Sequence, residues 1–205
     1  MRALFALFFL LSTATTAVNK NEYFPKRAFG ENQEQFATNY YGAWLCFFKE
    51  PSLLKEPSEG AAKEVYRFLW LRTFHHAIVI RVDVAKDGTG NLVTKVSAGE
   101  AGFDMRNRKI IGETSRPVRR DDVQSLLTLI NEKGFWATPS YTKTDQTGTD
   151  GSEWVLDGTN GGKYHVVARW TPCDSPRSDK KDICAIGRTF IFDLAHLDIP
   201  KDEFY

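Results

Sequence analysis

YRFLWLRTFHHAIVIRVDV, residues 66–84, sets the fold class of this 205-residue chain. Tyr66, Phe68, Trp70, Phe74, Ile78, Ile80, Val82 and Val84 place apolar groups at even positions, and Arg67, Thr73, His75, Arg81 and Asp83 lie at odd ones. A period of two over this length predicts a strand, or two strands joined at a bulge near residues 74–76. Asp87-Gly88-Thr89-Gly90-Asn91 then reads as a hairpin turn in which glycine supplies positive φ. Strands are expected over 92–98 and 109–114. Asp121 and Asp122 open a helix whose Val123, Leu126, Leu127 and Ile130 form one apolar stripe, and Gly134 ends it. A second hairpin pairs 153–157 with 164–171, and 183–197 reads as a last helix. This order predicts an α+β fold, an antiparallel sheet with helices packed on one face, as a single domain over 40–205. Residues 18–39 read as an irregular N-terminal arm, 41–49 as a short helix and 61–66 as a helical turn.

The opening residues bear on location. Met1-Arg2 is a positive start, ALFALFFLL (3–11) an apolar run, and STATTA (12–17) a small-residue stretch with a cleavage point after Ala17. That is the grammar of a secretory signal peptide, and its apolar run is too short to span a bilayer. The expectation is a secreted or periplasmic chain without stable membrane insertion. A formal charge of +1 with no polybasic stretch argues against nucleic acid as a partner. The expected partner is a protein or a small-molecule ligand.

Cys173 and Cys184 flank the polar stretch DSPRSDKKDI. A disulfide across it would stabilise the fold by about 2–3 kcal/mol through loop closure. Cys46 lies in an apolar run and reads as a buried thiol, although its pairing with Cys173 or Cys184 stays open.

With the turn of the second hairpin centred near Asn160, Leu156 stands opposite Tyr164 and Val155 opposite His165. Trp154, Leu156, Tyr164, Val166, Ala168 and Trp170 then form a core face. Glu153, Asp157, Lys163, His165 and Arg169 form a polar one, within cross-strand reach of one another. His75, Arg81 and Asp83 belong to the polar side of the first strand region, whereas His76 falls on the apolar side and reads as a hydrogen-bonded core histidine. The candidate binding residues are therefore His75, Arg81, Asp83, Glu153, Asp157, His165 and Arg169, on an open sheet face.

No compact catalytic signature accompanies them. His75 and His165 with Glu153 or Asp83 could hold zinc only if the two segments are neighbours, and there is no His-Glu-x-x-His or paired Cys-x-x-Cys unit. Asp145, Asp150, Glu153 and Asp157 do not match the spacing of a calcium loop. There is no Gly-x-Ser-x-Gly elbow and no strand-to-helix phosphate loop, so neither a metal nor a cofactor is expected.

Two stretches, YRFLWLRTFHH (66–76) and GTDGSEW (148–154) followed by YHVVARWTP (164–172), carry a resemblance. The chain resembles a family of bacterial exported proteins with an Arg-x-Phe-His-His-like segment and an Asp-Gly-x-x-Trp…Tyr-His-x-x-x-Arg-Trp-x-Pro hairpin. That resemblance implies a bacterial envelope setting; no activity comes with it, and so no catalytic residues. Three function classes follow from the residues. The favoured one is a non-enzymatic binding or interaction protein using the polar sheet face. The second is a hydrolase using His75, His165 and Arg169, with one histidine as general base. The third is an inhibitor or immunity-type protein presenting the loop 174–182 to an envelope enzyme.

Overall fold

A computed structural model describes residues 19–31, 34–54, 62, 64–102, 105–142, 150–175 and 177–205. The proposed export segment, residues 143–149 with Asp145, and much of the stretch read as a helical turn lie outside these residues.

The fold is α+β, built on one six-stranded antiparallel sheet. Its strands are β1 (Glu64–Arg72), β2 (His76–Val84), β3 (Gly90–Glu100), β4 (Ile110–Val118), β5 (Ser152–Asn160) and β6 (Lys163–Trp170), in the order β4-β3-β2-β1-β5-β6. The stretch 66–84 is thus two strands, and a turn at Thr73–His75 replaces the expected bulge. Glu64 onward is already strand, so no helical turn runs to residue 66.

The even residues of β1 and β2 face α2 (Arg120–Glu132) and α3 (Ser178–Arg188), as the alternation requires. Tyr66, Phe68, Trp70, Ile78, Ile80 and Val82 pack there with Leu126, Ile130, Ile186 and Phe190. After α3 the chain continues as a π-helical turn, Thr189–Leu194. Phe74, apolar but in the β1–β2 turn, is 54 % exposed.

The opposite face is not open. α1 (Glu34–Phe47) begins well before residue 41 and packs Ala37, Tyr41, Trp44 and Leu45 onto Leu69, Leu71, Val79 and Val155. The expected irregular arm is part of this layer: Tyr23, Phe24 and Phe29 are buried in it. α1 ends in a Schellman arrangement, with Lys49 at φ 53 and the Glu50 amide donating to the Leu45 carbonyl at 3.0 Å. Cys46 is exposed, not buried. Cys173 and Cys184 are joined by a disulfide.

Candidate functional site

The covered face buries the candidates Glu153 and Asp157 and leaves Arg81 and Asp83 only partly exposed. Arg67 and Asp157 form a two-pronged ion pair, at 3.0 Å from Nε and 2.6 Å from Nη2, with Arg67 fully buried. Arg67 also donates to the Pro51 carbonyl, and the Tyr164 hydroxyl donates to Asp157. Beside them Glu50, 2 % exposed, meets Arg81 at 2.6 Å and Lys95 at 2.9 Å, and Arg81 pairs with Asp83 at 2.9 Å. Burial by itself would raise the Glu50 pKa, but Arg81, Arg67 and Lys95 overcome it and hold the carboxyl below its ordinary value. Glu153 is buried on the same face, near Tyr40 and Tyr41. These groups fasten the segment after α1 to the sheet.

His165 and Arg169 lie on the other face, contrary to the expected pairing. Leu156 stands opposite Val167, not Tyr164, and Val155 opposite Ala168, not His165. The hairpin turns on Gly161 and Gly162, both with positive φ, which places Asn160 opposite Lys163. The displacement is by an odd number of residues, so all of β6 changes faces relative to β5. Centring on Asn160 passed over the Gly-Gly pair, which was the signal for the register. His165 sits half-buried against Phe135 and Trp136, with Nε2 2.8 Å from the Thr138 carbonyl. Burial, chiefly, lowers its pKa. Arg169 is fully buried, donating to the Pro139, Ser140 and Ala168 carbonyls and pairing with Asp179 at 3.2 Å. Both residues hold structure in place.

The histidines are far apart. His165 is level with Gly158 and thus with Tyr66, while His75 lies past Arg72 at the other end of β1. At about 3.3 Å per residue that separation is ~20 Å along the strand, too far for a shared proton relay. His76 is exposed, its Nδ1 3.4 Å from the Gly99 carbonyl, and is not a core residue. Most of the stretch between the disulfide cysteines belongs to α3, whose Asp179 is engaged by Arg169 and Arg177, so it is no protruding loop. Among the described residues no group of three His, Cys, Asp or Glu side chains converges for a metal.

A different constellation forms where β1 and β5 meet the β1–β2 turn. Trp70 and Trp154 are cross-strand partners with ring centres 5.5 Å apart. Gly187 lets α3 close onto the Trp154 ring, because a Cβ there would stand 2.2 Å from it. Against this aromatic floor lies the chain's own segment from Lys201 to Tyr205. Phe204 packs on Trp70, Trp154 and Phe192, with the Arg188 guanidinium 5.0 Å above its ring. The main-chain oxygen of Tyr205 accepts from the indole N–H of Trp70 at 3.2 Å, from that of Trp154 at 3.1 Å, and from the Ser152 hydroxyl. Glu203 pairs with Arg72 at 3.2 Å, and its Oε1 is 3.8 Å from His75 Nε2. The Tyr205 hydroxyl is 2.9 Å from His75 Nδ1 and accepts from the Phe74 amide.

Of the sequence-derived candidates only His75 belongs to this pocket. Arg72, Ser152, Trp70 and Trp154 were missed: the two tryptophans read as strand core, and Arg72 and Ser152 carried no local signal. The tail that reveals them carries no motif.

Two grooves are also present. One of 650 Å³ is lined by Lys20, Phe36, Asn39, Tyr40 and Met105, and one of 480 Å³ borders Asp83, Lys86 and Asp87. No helix among the described residues is long and apolar enough to cross a membrane. Neither family models nor curated proteins gave a match to the chain.

Proposed function

We propose that this chain is an exported, non-enzymatic binding protein whose recognition surface is the pocket of Trp70, Arg72, His75, Ser152 and Trp154, and that its ligand is an acidic, aromatic peptide segment. The observation that carries this reading is the one-sidedness of the polar contacts. Two indole N–H groups, a hydroxyl, a guanidinium and a backbone amide all donate toward the tail. Without the tail the buried Trp70 indole N–H and the Ser152 hydroxyl would lose their acceptor, at about 1–3 kcal/mol each, so the pocket favours an acceptor-rich occupant. Glu203, Phe204 and Tyr205 meet that demand in cis, which supports an acidic, aromatic ligand. Peptide recognition of this kind uses pockets for side chains and donors for main-chain oxygens. The signal-peptide grammar of residues 1–17 and the Cys173–Cys184 disulfide support export.

The test is a fluorescein-labelled Lys-Asp-Glu-Phe-Tyr peptide titrated into the full chain carrying Phe204→Ala and Tyr205→Ala, read by polarisation. Saturable binding is expected, at least tenfold weaker in the wild-type chain, where the tail competes, and at least tenfold weaker again when Arg72→Ala is added. A folded double variant that shows no saturable binding would refute the reading.

A further inference from the structure

Resting on that reading, we infer that Arg188 sets specificity in the pocket: with Trp70, Trp154 and Phe192 it selects a π-ring side chain, rather than any apolar one, directly after the acidic residue of the ligand. Phe204, which follows Glu203, marks that position in cis. Three rings meet it. Measured between ring centres, Trp70 stands 5.7 Å away at an interplanar angle of 68°, Trp154 5.7 Å away at 79°, and Phe192 5.3 Å away at 48°. None is stacked flat on Phe204. Steeply inclined rings bring positive edges against negative faces, which attracts beyond the area that is buried. A saturated side chain of the same size covers the same area and lacks that attraction.

Arg188 adds a charge to the ring site. Its guanidinium lies 5.0 Å over the Phe204 ring and 5.1 Å over that of Phe192. Among the described residues no carboxylate pairs with it. α3 runs on into the π-helical turn Thr189–Leu194, so this charge is not spent on a free helix end either. The negative face of an aryl ring attracts a guanidinium, and a saturated group in its place does not. On the floor of the pocket the Arg72 guanidinium lies 4.5 Å over the Trp70 ring. Aromatic cages elsewhere hold a cation, but two guanidinium groups already border this one, and a Lys or Arg side chain would meet like charge.

Burial alone makes a different forecast. It is non-directional and scales with area, so cyclohexyl would serve as well as phenyl.

The experiment titrates two peptides by calorimetry into the Phe204→Ala/Tyr205→Ala chain: Lys-Asp-Glu-Phe-Tyr, and the same peptide with cyclohexylalanine in place of Phe. The phenyl peptide is expected to bind about fivefold or more tightly. Arg188→Met keeps an apolar stem over the rings and is expected to reduce that preference about twofold or more. Equal affinities for the two peptides overturn the inference and leave peptide binding standing. A phenyl preference unchanged by Arg188→Met overturns the role of Arg188, since a purely packing side chain would weaken both peptides alike. Binding of neither peptide overturns the inference together with the reading beneath it. If the double variant does not fold, the wild-type chain, with each peptide competing against its own tail, reports the same ratio through Trp70 and Trp154 emission.

Discussion

Arg67 shows how far a single side chain can depart from what its type suggests. It lies in the middle strand region with no exposure, yet each of its three nitrogens is used: Asp157 takes two N–H groups and the Pro51 carbonyl takes a third. Removing one partner of such a pair leaves an uncompensated buried charge, which costs about 3–5 kcal/mol, against less than ~1 kcal/mol for an exposed pair. Arg67→Ala is therefore expected to lower stability by about 3–5 kcal/mol in urea denaturation. Arg67→Met combined with Asp157→Leu is expected to cost less than either single substitution, since no orphan charge remains. A single-variant loss below ~1 kcal/mol would mean that the pair is solvated. Arg67 was legible as an odd position of its strand region and Asp157 as part of the polar face of its hairpin, because alternation within each strand is local; their pairing was not. Nor was their burial, because it depends on α1.

At the scale of elements, two small features set the pocket. Gly161 and Gly162 turn the second hairpin and so decide that Trp154 and Val167, not Trp154 and Ala168, share a face. Gly187 lets α3 reach the sheet, with Trp154 Cζ3 and Cε3 standing 2.2 and 2.5 Å from where a Cβ would be. The two effects of Gly187→Ala oppose one another. Helix propensity favours alanine by up to ~1 kcal/mol, while overpacking against a fixed indole costs about 1–3 kcal/mol. Because Trp154 is fully buried between Phe68, Trp70 and Phe204, the clash is expected to win. Thermal denaturation of Gly187→Ala should show a net loss, and a gain would show that Trp154 can move. α1 was partly legible: Ala37, Tyr41, Trp44 and Leu45 follow helical spacing. Its start was placed too late because the polar residues around it obscure the stripe.

For the molecule as a whole, a sheet covered on both faces stores its titratable groups in two separate layers, and this shapes the dependence of stability on pH. His165 has its pKa lowered from 6.5, first by burial and then by Lys163 and Arg169. The unfolded chain therefore binds this proton more readily, so the His165 contribution is complete above 6.5 and is lost as pH falls from there through the folded value. Glu50, depressed below 4.5, contributes above that value, and its contribution is lost as pH falls through its lower folded value. Urea midpoints should hence be flat from pH 6.5 to about 9, below the range where the buried tyrosines matter, fall gently below 6.5, and fall more steeply below 4.5. His165→Gln should remove the gentle phase and keep the steep one; Glu50→Gln should reduce the steep one. A wild-type profile unchanged between pH 7 and 5 would contradict this placement of His165.

Pattern within a strand or a helix was enough to determine the α+β class, the even-numbered core of β1 and β2, the α2 stripe and the turn at Gly88, because side-chain periodicity and glycine's φ range act over a few residues. The Cys173–Cys184 bridge was also foreseen from spacing and expected compartment. Only the tertiary structure decided which elements meet. It put α1 over the face expected to be open, moved His165 and Arg169 to the opposite side, and separated the two histidines. It also seated Phe204 against Trp70 and Trp154, and the Tyr205 ring beside His75. The reason is physical: hydrophobic burial is non-directional and says that a surface must be covered, while the covering partner is chosen by long-range packing that no local spacing encodes.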